Sequence, residues 1–154
     1  MATRLGRDRG SRLSQENRRV VGIDPGTVVT GWGVVERSGG SLLYLAHGTI
    51  RSSASYGQGT RLSRIYRGLQ EVLKRYKPDE ISLEKVFFAR NPQSALKLGQ
   101  ARGVALLAAA ENKIAIHEYS STEIKLAVVG YGRASKEQIQ KMVVSHLGLS
   151  GDPP

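Results

Sequence analysis

Short apolar runs bounded by turn residues follow the polar start of the chain. The runs cover residues 20–23, 30–36 and 42–50, and their length and composition predict strands. Ser38-Gly39-Gly40 separates the last two runs and predicts a hairpin loop. Residues 52–59 are rich in Ser and Gly and predict a further loop. The pattern therefore indicates three consecutive strands before any helix.

The spacing of apolar residues then becomes helical. One helical face is formed by Leu62, Ile65, Leu69, Val72, Leu73 and Tyr76. This spacing is typical of an amphipathic helix, and Lys77-Pro78-Asp79 predicts its end. The next apolar residues, in the segment 80–84, predict a short fourth strand.

The last part of the chain predicts three more helices and one more strand. The expected elements are a helix over residues 93–111, a strand over 114–116, and helices over 121–129 and 135–147. Asn91-Pro92 opens the first of these helices, and residues 104–110 within it are apolar on all sides, which predicts burial. Ser135 and Gln138 form a capping-box pattern at the start of the last helix.

This order of elements predicts an α/β protein with a mixed five-stranded sheet flanked by helices. An antiparallel meander comes first and parallel crossovers follow it. The length of 154 residues favours one domain. Residues 1–17 are rich in Arg, Ser and Gly without periodicity, so we expect a basic flexible extension followed by a domain at residues 18–154.

The charge of the chain indicates a polyanionic partner. The chain has 23 Lys and Arg against 13 Asp and Glu, a formal net charge of +10. A protein with such an excess of positive charge more often binds nucleic acid than an anionic membrane. Residues 1–20 contribute six Arg against two acids, so the rest of the chain is basic without them. The extension either follows a phosphate backbone or is an unselected leader.

Composition excludes several classes of protein. The sequence has no cysteine, which excludes a disulfide framework and a thiolate metal site and favours a reducing, cytoplasmic setting. Its longest apolar run, residues 104–110, is far shorter than the roughly 20 residues of a membrane span. The first twenty residues hold six Arg and no apolar block, so neither a secretory signal nor membrane association is expected.

Two acidic residues at predicted strand ends are the first candidates for chemistry. Asp24 ends the first strand and Glu84 ends the fourth, and sites in open α/β sheets form at the carboxyl ends of strands. If the two strands are neighbours, their carboxylates repel each other unless a cation lies between them. Mg²⁺ accepts such oxygen ligands, and a pair of these ions can activate water at a phosphodiester. The structural alternative is a turn residue and a surface ion pair.

Three other features are weaker when each is taken alone. Phe87 and Arg90 follow Glu84 closely, and an aromatic ring beside a cation suits base stacking on opened nucleic acid, although core packing is the commoner use. Lys125 and Lys136 lie in or near predicted helices, where an isolated solvated lysine carries little information.

The third feature is a stripe of small residues. Ala95, Gly99 and Gly103 recur at four-residue spacing in the helix predicted over residues 93–111. Such a stripe allows close approach of another surface. The partner is either the protein's own sheet or a second copy in a twofold dimer.

Longer motifs resemble the RuvC family of bacterial Holliday-junction resolvases, from about residue 20 to residue 149. They are V-G-I-D-P-G-T-V-V-T-G-W-G-V-V at 21–35, S-L-E-K-V-F-F-A-R-N at 82–91, S-A-L-K-L-G-Q-A-R-G-V at 94–104 and V-V-G-Y-G-R-A-S-K at 128–136. The D-x-G turn of the first motif is shared across the ribonuclease-H-like superfamily. The block over residues 82–104 is much more specific and decides the resemblance.

The resemblance implies a ribonuclease-H-like homodimer that makes paired symmetric nicks in four-way DNA junctions during recombination and repair. It implies Mg²⁺ or Mn²⁺ as cofactor, with two ions per active site, and the RuvA–RuvB branch-migration complex as a partner. Asp24 and Glu84 fall on two of the family's four catalytic acidic positions, and Phe87 falls on its junction-contacting aromatic. Lys125 and Lys136 fall on basic positions, to which we add Arg90. The family's dimer helix corresponds to the helix that carries Ala95, Gly99 and Gly103.

The family pattern continues with a final helix that bears a D-A-A-D-A-L-like motif and the last two catalytic positions. This sequence ends at Gly151-Asp152-Pro153-Pro154, and Asp152 matches neither position. The leading interpretation is a metal-dependent junction nuclease, and the alternative is a junction-binding chain that cannot cut because two of four ligands are absent. A sugar-kinase-like ATP domain is disfavoured because it needs a second phosphate turn, and the block over residues 82–104 disfavours a nuclease for RNA.

Overall fold

A mixed five-stranded sheet forms the centre of the molecule. The computed structural model describes residues 17–85 and 91–150. The strands are β1 (Arg18–Asp24), β2 (Val29–Ser38), β3 (Ser41–Arg51), β4 (Glu80–Glu84) and β5 (Ala115–Tyr119). They lie in the order β3-β2-β1-β4-β5. The pairs β1–β2 and β2–β3 are antiparallel, whereas β1–β4 and β4–β5 are parallel. The predicted meander and parallel crossovers are therefore confirmed.

Four helices occupy the described part of the chain. They are α1 (Gln58–Tyr76), α2 (Pro92–Glu111), α3 (Ser121–Val129) and α4 (Lys136–Leu147). Their bounds agree with the predicted helices to within a few residues. None of these helices is long and apolar enough to span a membrane.

The first strand begins two residues earlier than its apolar pattern predicts. Arg18 and Arg19 pair with Arg37 and Glu36 of β2. The guanidinium of Arg19 donates to the Glu36 carboxylate at 2.6 and 3.0 Å. An ion pair across the ladder thus extends the strand through polar residues, which hydrophobic patterning cannot detect.

The core lies on one face of the sheet, beneath α1 and α2. Its buried residues are Val21, Ile23, Val34, Ile81 and Leu83 of the sheet, Ile65, Leu69, Val72 and Leu73 of α1, and Ala101, Ala105, Ala108 and Ala109 of α2. Because successive strand residues point to opposite faces, β1 and β4 place Gly22, Asp24, Ser82 and Glu84 on the other face. The fold therefore separates the core from the candidate acidic residues.

Helix α2 is buried on one side only, so the prediction that residues 104–110 are buried on all sides is wrong. Ala105, Ala108 and Ala109 are at most 1% exposed, whereas Leu106 is 36% and Leu107 is 52% exposed. Alanine at the inner positions lets the helix approach its neighbours closely. The outer leucines have no element of the described chain above them to bury them fully.

Local capping signals define the helix starts as predicted. The side chain of Asn91 accepts the Ser94 N–H at 2.8 Å, and Pro92 occupies the start of α2. At α4, the Gln138 N–H donates to Ser135 Oγ at 3.2 Å, while the Ser135 N–H donates to the Gln138 side chain at 2.8 Å. The predicted capping box is confirmed, since both reciprocal bonds are present.

Candidate active site

Asp24 and Glu84 end neighbouring parallel strands at the same edge of the sheet. Ile23 pairs with Leu83, and each acidic residue is the next one along its strand. Ile23 and Leu83 are buried in the core, so Asp24 and Glu84 share the opposite face. Asp24 is exposed and Glu84 is half-buried. The expectation that the two strands are neighbours is confirmed.

An open cleft of about 340 Å³ is lined by both carboxylates. Glycines form much of its floor, and they are Gly22, Gly31 and Gly33. A Cβ on Gly31 would lie 3.8 Å from the Cβ of Asp24, so a longer side chain at this position would fill the space beside the carboxylate. Ile124 of α3 contributes to the wall of the cleft. The glycine floor keeps the space above the two acidic residues open.

The turn after β1 is held by a buried threonine. The Gly26 N–H donates to Thr30 Oγ1 at 3.3 Å, and the Thr30 hydroxyl donates to the Gly26 carbonyl at 2.8 Å. Thr30 is fully buried. A Cβ on Gly26 would lie 2.3 Å from the carbonyl oxygen of Val29, so the turn requires glycine here. These contacts fix the backbone immediately after Asp24.

The end of β4 is fixed against β5. Glu84 pairs with Tyr119, and the Lys85 N–H donates to the Tyr119 carbonyl at 2.8 Å. The Arg102 guanidinium of α2 also forms an ion pair with Glu118 of β5. These bonds hold the carboxyl ends of β4 and β5 together and connect them to α2.

Tyr119 is a site neighbour that the sequence analysis missed. It is 42% exposed and shares the face of Glu84, because paired residues of adjacent strands point the same way. Ile116 packs against the core, and strand alternation from Ile116 would have placed Tyr119 on the outer face. That Tyr119 lies beside Glu84 follows only from the pairing of β5 with β4.

Helix α3 begins with a full capping box beside the cleft. The Ser120 N–H donates to the Glu123 carboxylate at 2.6 Å, and the Glu123 N–H donates to Ser120 Oγ at 3.2 Å. The bond from the Ser120 N–H lowers the pKa of Glu123 below its ordinary value of 4.5. Lys125 follows the cleft residue Ile124 and is half-buried, whereas Lys136 is exposed at the start of α4. The cap thus anchors the helix that carries Ile124 and Lys125.

Of the other residues proposed from the sequence, for DNA binding and for the dimer contact, none is among the described residues that line the cleft. Phe87 and Arg90 lie outside the described residues. Ala95, Gly99 and Gly103 are exposed on α2, and a Cβ on either glycine would meet nothing within 4 Å. The alternative that this stripe packs on the protein's own sheet is therefore wrong.

Asp24 and Glu84 are the two acidic residues that line the cleft. Within residues 17–85 and 91–150, no group of three or more Asp, Glu or His side chains is close enough to hold a metal ion. Any ion held by the described side chains at this edge would take its ligands from Asp24 and Glu84.

The comparison with family models identifies the group to which these features belong. The model described as "Crossover junction endodeoxyribonuclease RuvC" matches residues 20–154. The chain belongs to the RuvC family. A RuvC of Cupriavidus metallidurans is 50% identical over 135 residues, which cover 88% of this chain and 75% of that protein. A RuvC of Histophilus somni is 51% identical over 134 residues, which cover 87% of this chain and 70% of the relative.

Solved structures agree with the family assignment. Thermus thermophilus RuvC in complex with Holliday junction substrate matches with a TM-score of 0.85 and 35% identity, over 89% of this chain and 84% of that one. The yeast mitochondrial Holliday junction resolvase has a TM-score of 0.61 at 16% identity, over 83% of this chain and 61% of that one, which shows a shared fold. The predicted ribonuclease-H-like fold and the resemblance to RuvC endonucleases are confirmed.

Proposed function

We propose that this chain is a metal-dependent endonuclease that resolves four-way DNA junctions. The observation that carries the proposal is the placement of Asp24 and Glu84 at the ends of adjacent parallel strands, over a glycine floor. The family supports the same chemistry, since its relatives are named as crossover junction endodeoxyribonucleases.

The donor set of the cleft fits a hard divalent cation. Asp24 and Glu84 supply oxygen ligands from one face, and the glycine floor leaves room for the water molecules that Mg²⁺ retains. Asp24 and Glu84 would hold Mg²⁺ or Mn²⁺, and the family pattern predicts two ions. When bound, such ions lower the pKa of water and stabilise the leaving oxygen of a phosphodiester.

The chain's own residues position the DNA strand. The scissile phosphate lies above the glycine floor, where neither Gly22 nor Gly33 has a side chain to obstruct it. Lys125 and Lys136, together with Arg90, hold the phosphates of the strand. The ring of Phe87 stacks on a base opened at the junction, since aromatic faces accept any base.

The outward stripe of α2 forms the dimer contact. Ala95, Gly99 and Gly103 are exposed, and Leu96 beside them is 68% exposed. A twofold contact through this face would give two symmetric active sites, as paired nicks require.

The remaining parts of the proposal concern the rest of the chain and its setting. Residues 1–17 act as a basic extension of the domain at 18–154. The protein acts in the cytoplasm, and the RuvA–RuvB complex is the expected partner.

A nicking assay and a gel shift on the same labelled four-way junction test this function. With Mg²⁺, we expect paired nicks that disappear in Asp24→Asn and Glu84→Gln while junction binding persists. Asp79→Asn is the matched control, because Asp79 lies at the opposite end of the sheet and the amide oxygen can still accept the Arg19 N–H. Binding without nicks in the unmodified chain would favour the junction-binding alternative. Absence of both binding and nicks would contradict the proposal.

A further inference from the structure

Two enclosed polar atoms of the described chain have no hydrogen-bond partner. Within residues 17–85 and 91–150, they are the hydroxyl oxygen of Ser52 and the Nε of Arg61. Ser52 is 7% exposed, and Arg61 is half-buried. A native protein rarely encloses a polar atom in this way, because its lost hydrogen bonds to water are not replaced. The two atoms are also complementary, since Nε–H is a donor and Oγ an acceptor.

Both atoms belong to the contact between the end of β3 and the first turns of α1. A Cβ on Gly68 would lie 2.8 Å from the side chain of Ile50, so these two residues mark where the helix crosses the strand. Ser52 follows Ile50 by two residues and faces the helix as well, about 6.6 Å nearer the end of the strand. Arg61 precedes Gly68 by seven residues, which places it on the same side of α1, about 10.5 Å nearer the helix start.

These two shifts have the same direction along the sheet. The strand β3 ends at the cleft edge, and α1 starts there and returns to the far edge, where β4 begins. Ser52 and Arg61 are therefore within about one helical turn, or about 5.4 Å, of each other along the helix axis. The Ser52 N–H also donates to the Val28 carbonyl at 2.8 Å, so the contact lies beside the turn that follows Asp24.

No carboxylate of the described chain compensates the positive charge of Arg61. The ion pairs there involve Arg18, Arg19, Arg102 and His117. The first turn of α1 has no acidic residue, and Gly57 before it provides no capping side chain. Because the N-terminal end of a helix carries a partial positive charge, a cation near it is unfavourable unless an anion is close. The position of Arg61 therefore favours a negatively charged ligand.

We propose that Arg61 binds a phosphate of the DNA backbone beside the turn after Asp24, and that Ser52 positions the guanidinium by accepting its Nε–H. The terminal nitrogens of the guanidinium then meet the phosphate, whose oxygens suit their planar fork. One phosphate thereby supplies the anion that the start of α1 favours, and the bond to Ser52 satisfies both enclosed atoms. The inference rests on the proposed function, because the substrate in the cleft is the source of the phosphate.

Two single variants test the site against a control with the same loss of charge. Arg61→Gln removes the cation, and Ser52→Ala removes the acceptor. The control is Arg75→Gln, near the other end of α1, about 21 Å further along the helix. Affinity for a labelled four-way junction is measured by fluorescence anisotropy over a range of KCl concentrations, in EDTA so that no strand is cut. Circular dichroism melts report the stability of each variant.

We expect Arg61→Gln to lose slope in the plot of log affinity against log salt, by about 0.9, the value for one phosphate contact. Its affinity at low salt falls about tenfold, which corresponds to about 1.4 kcal/mol, whereas Arg75→Gln keeps the slope. Ser52→Ala loses affinity about threefold to tenfold without a lower melting temperature, because its hydroxyl has no partner in the free protein. A residue with a purely structural role would lose melting temperature instead.

Replacement of single phosphates by neutral methylphosphonates identifies the contact. One such substitution near the cleft should weaken binding by the unmodified protein and by Arg75→Gln. The same substitution should have no further effect on Arg61→Gln, since two groups that act through one contact give losses that do not add.

Equal loss of slope in Arg61→Gln and Arg75→Gln would overturn the inference, because it would show an effect of net charge alone. Unchanged binding in Arg61→Gln or in Ser52→Ala would overturn it as well, as would additive losses at every phosphate tested. These outcomes differ from failure of the proposed function, in which the unmodified protein neither binds nor nicks the junction.

Discussion

The Thr30 hydroxyl forms two hydrogen bonds, of 2.8 and 3.3 Å, with the backbone of Gly26. Gly26 lies two residues after the candidate catalytic Asp24. The threonine hydroxyl is both donor and acceptor, so one buried side chain satisfies the N–H and the C=O of the same turn residue. The orientation of Asp24 at the end of β1 thus depends on a side chain of β2, the strand that follows the turn.

Replacing Thr30 by Val should impair nicking more than junction binding. Valine keeps the shape but leaves the polar groups of Gly26 without this partner, and a buried unsatisfied group costs about 1–3 kcal/mol. The expected result is a lower melting temperature and a reduced nicking rate, with Kd for the junction nearly unchanged. Thr30→Ser retains the hydroxyl and should keep most of the rate. Equal losses in the Ser and Val variants would contradict this role of the hydrogen bonds.

Gly26→Ala should reduce nicking severely. The new Cβ would lie 2.3 Å from the Val29 carbonyl oxygen, so the turn must shift and Asp24 moves with it. Misplacement of a reacting group by about 1 Å can cost about 100-fold in rate, and we expect a loss of that order in single-turnover assays. Gly59→Ala is the control, because residue 59 lies in the first turn of α1 and a Cβ there meets nothing within 4 Å. A fully active Gly26→Ala enzyme would refute the requirement.

Removal of divalent ions should stop nicking without abolishing binding. EDTA removes any ion held by Asp24 and Glu84, whereas contacts from basic residues to phosphates persist. Addition of Mg²⁺ or Mn²⁺ should restore nicking in the unmodified chain and fail to do so in Glu84→Gln. The measurement is product formation on the labelled junction at each metal concentration. Nicking that continues in excess EDTA would exclude the metal-dependent mechanism.

The cap of α3 should give the protein a defined acid sensitivity. The pKa of Glu123 is lowered by the N–H bond from Ser120, so its carboxylate stabilises the fold above the ordinary pKa of 4.5 and this contribution is lost as the pH falls through the lowered value. Glu123→Gln keeps a side-chain acceptor but not the charge. Its melting temperature should be below that of the unmodified chain at pH 7, and the two should converge in acid. A difference that is constant with pH would argue against a charge effect.

A charge in the α2 stripe should prevent dimer formation. Gly99→Glu places a carboxylate in the proposed twofold contact, where it would meet its own copy, and like charges there disfavour association. Sedimentation velocity should show a monomer, and the junction should lose its paired nicks. Gln93→Glu, in the exposed first turn of the same helix, should remain a dimer. A dimeric Gly99→Glu chain would place the interface elsewhere.

Local patterns were sufficient for most elements of the fold. The short runs before residue 51 predicted β1 to β3, and the face from Leu62 to Tyr76 predicted α1. Asn91 and Ser135 marked helix starts because capping depends on residues within one turn. The chemistry of Asp24 and Glu84 was also proposed from local sequence, as acidic residues at strand ends.

Tertiary structure decided the features that depend on which surfaces meet. The pairing of β1 with β4 brings Asp24 beside Glu84 across a long stretch of chain, and the pairing of β4 with β5 brings Tyr119 beside Glu84. The one-sided burial of α2 exposes Leu107, because exposure depends on the elements above a residue and not on its own hydrophobicity. Strand periodicity and capping are short-range and can be read from neighbouring residues. Strand order and the covered side of a helix are set by distant contacts, which a sequence pattern does not contain.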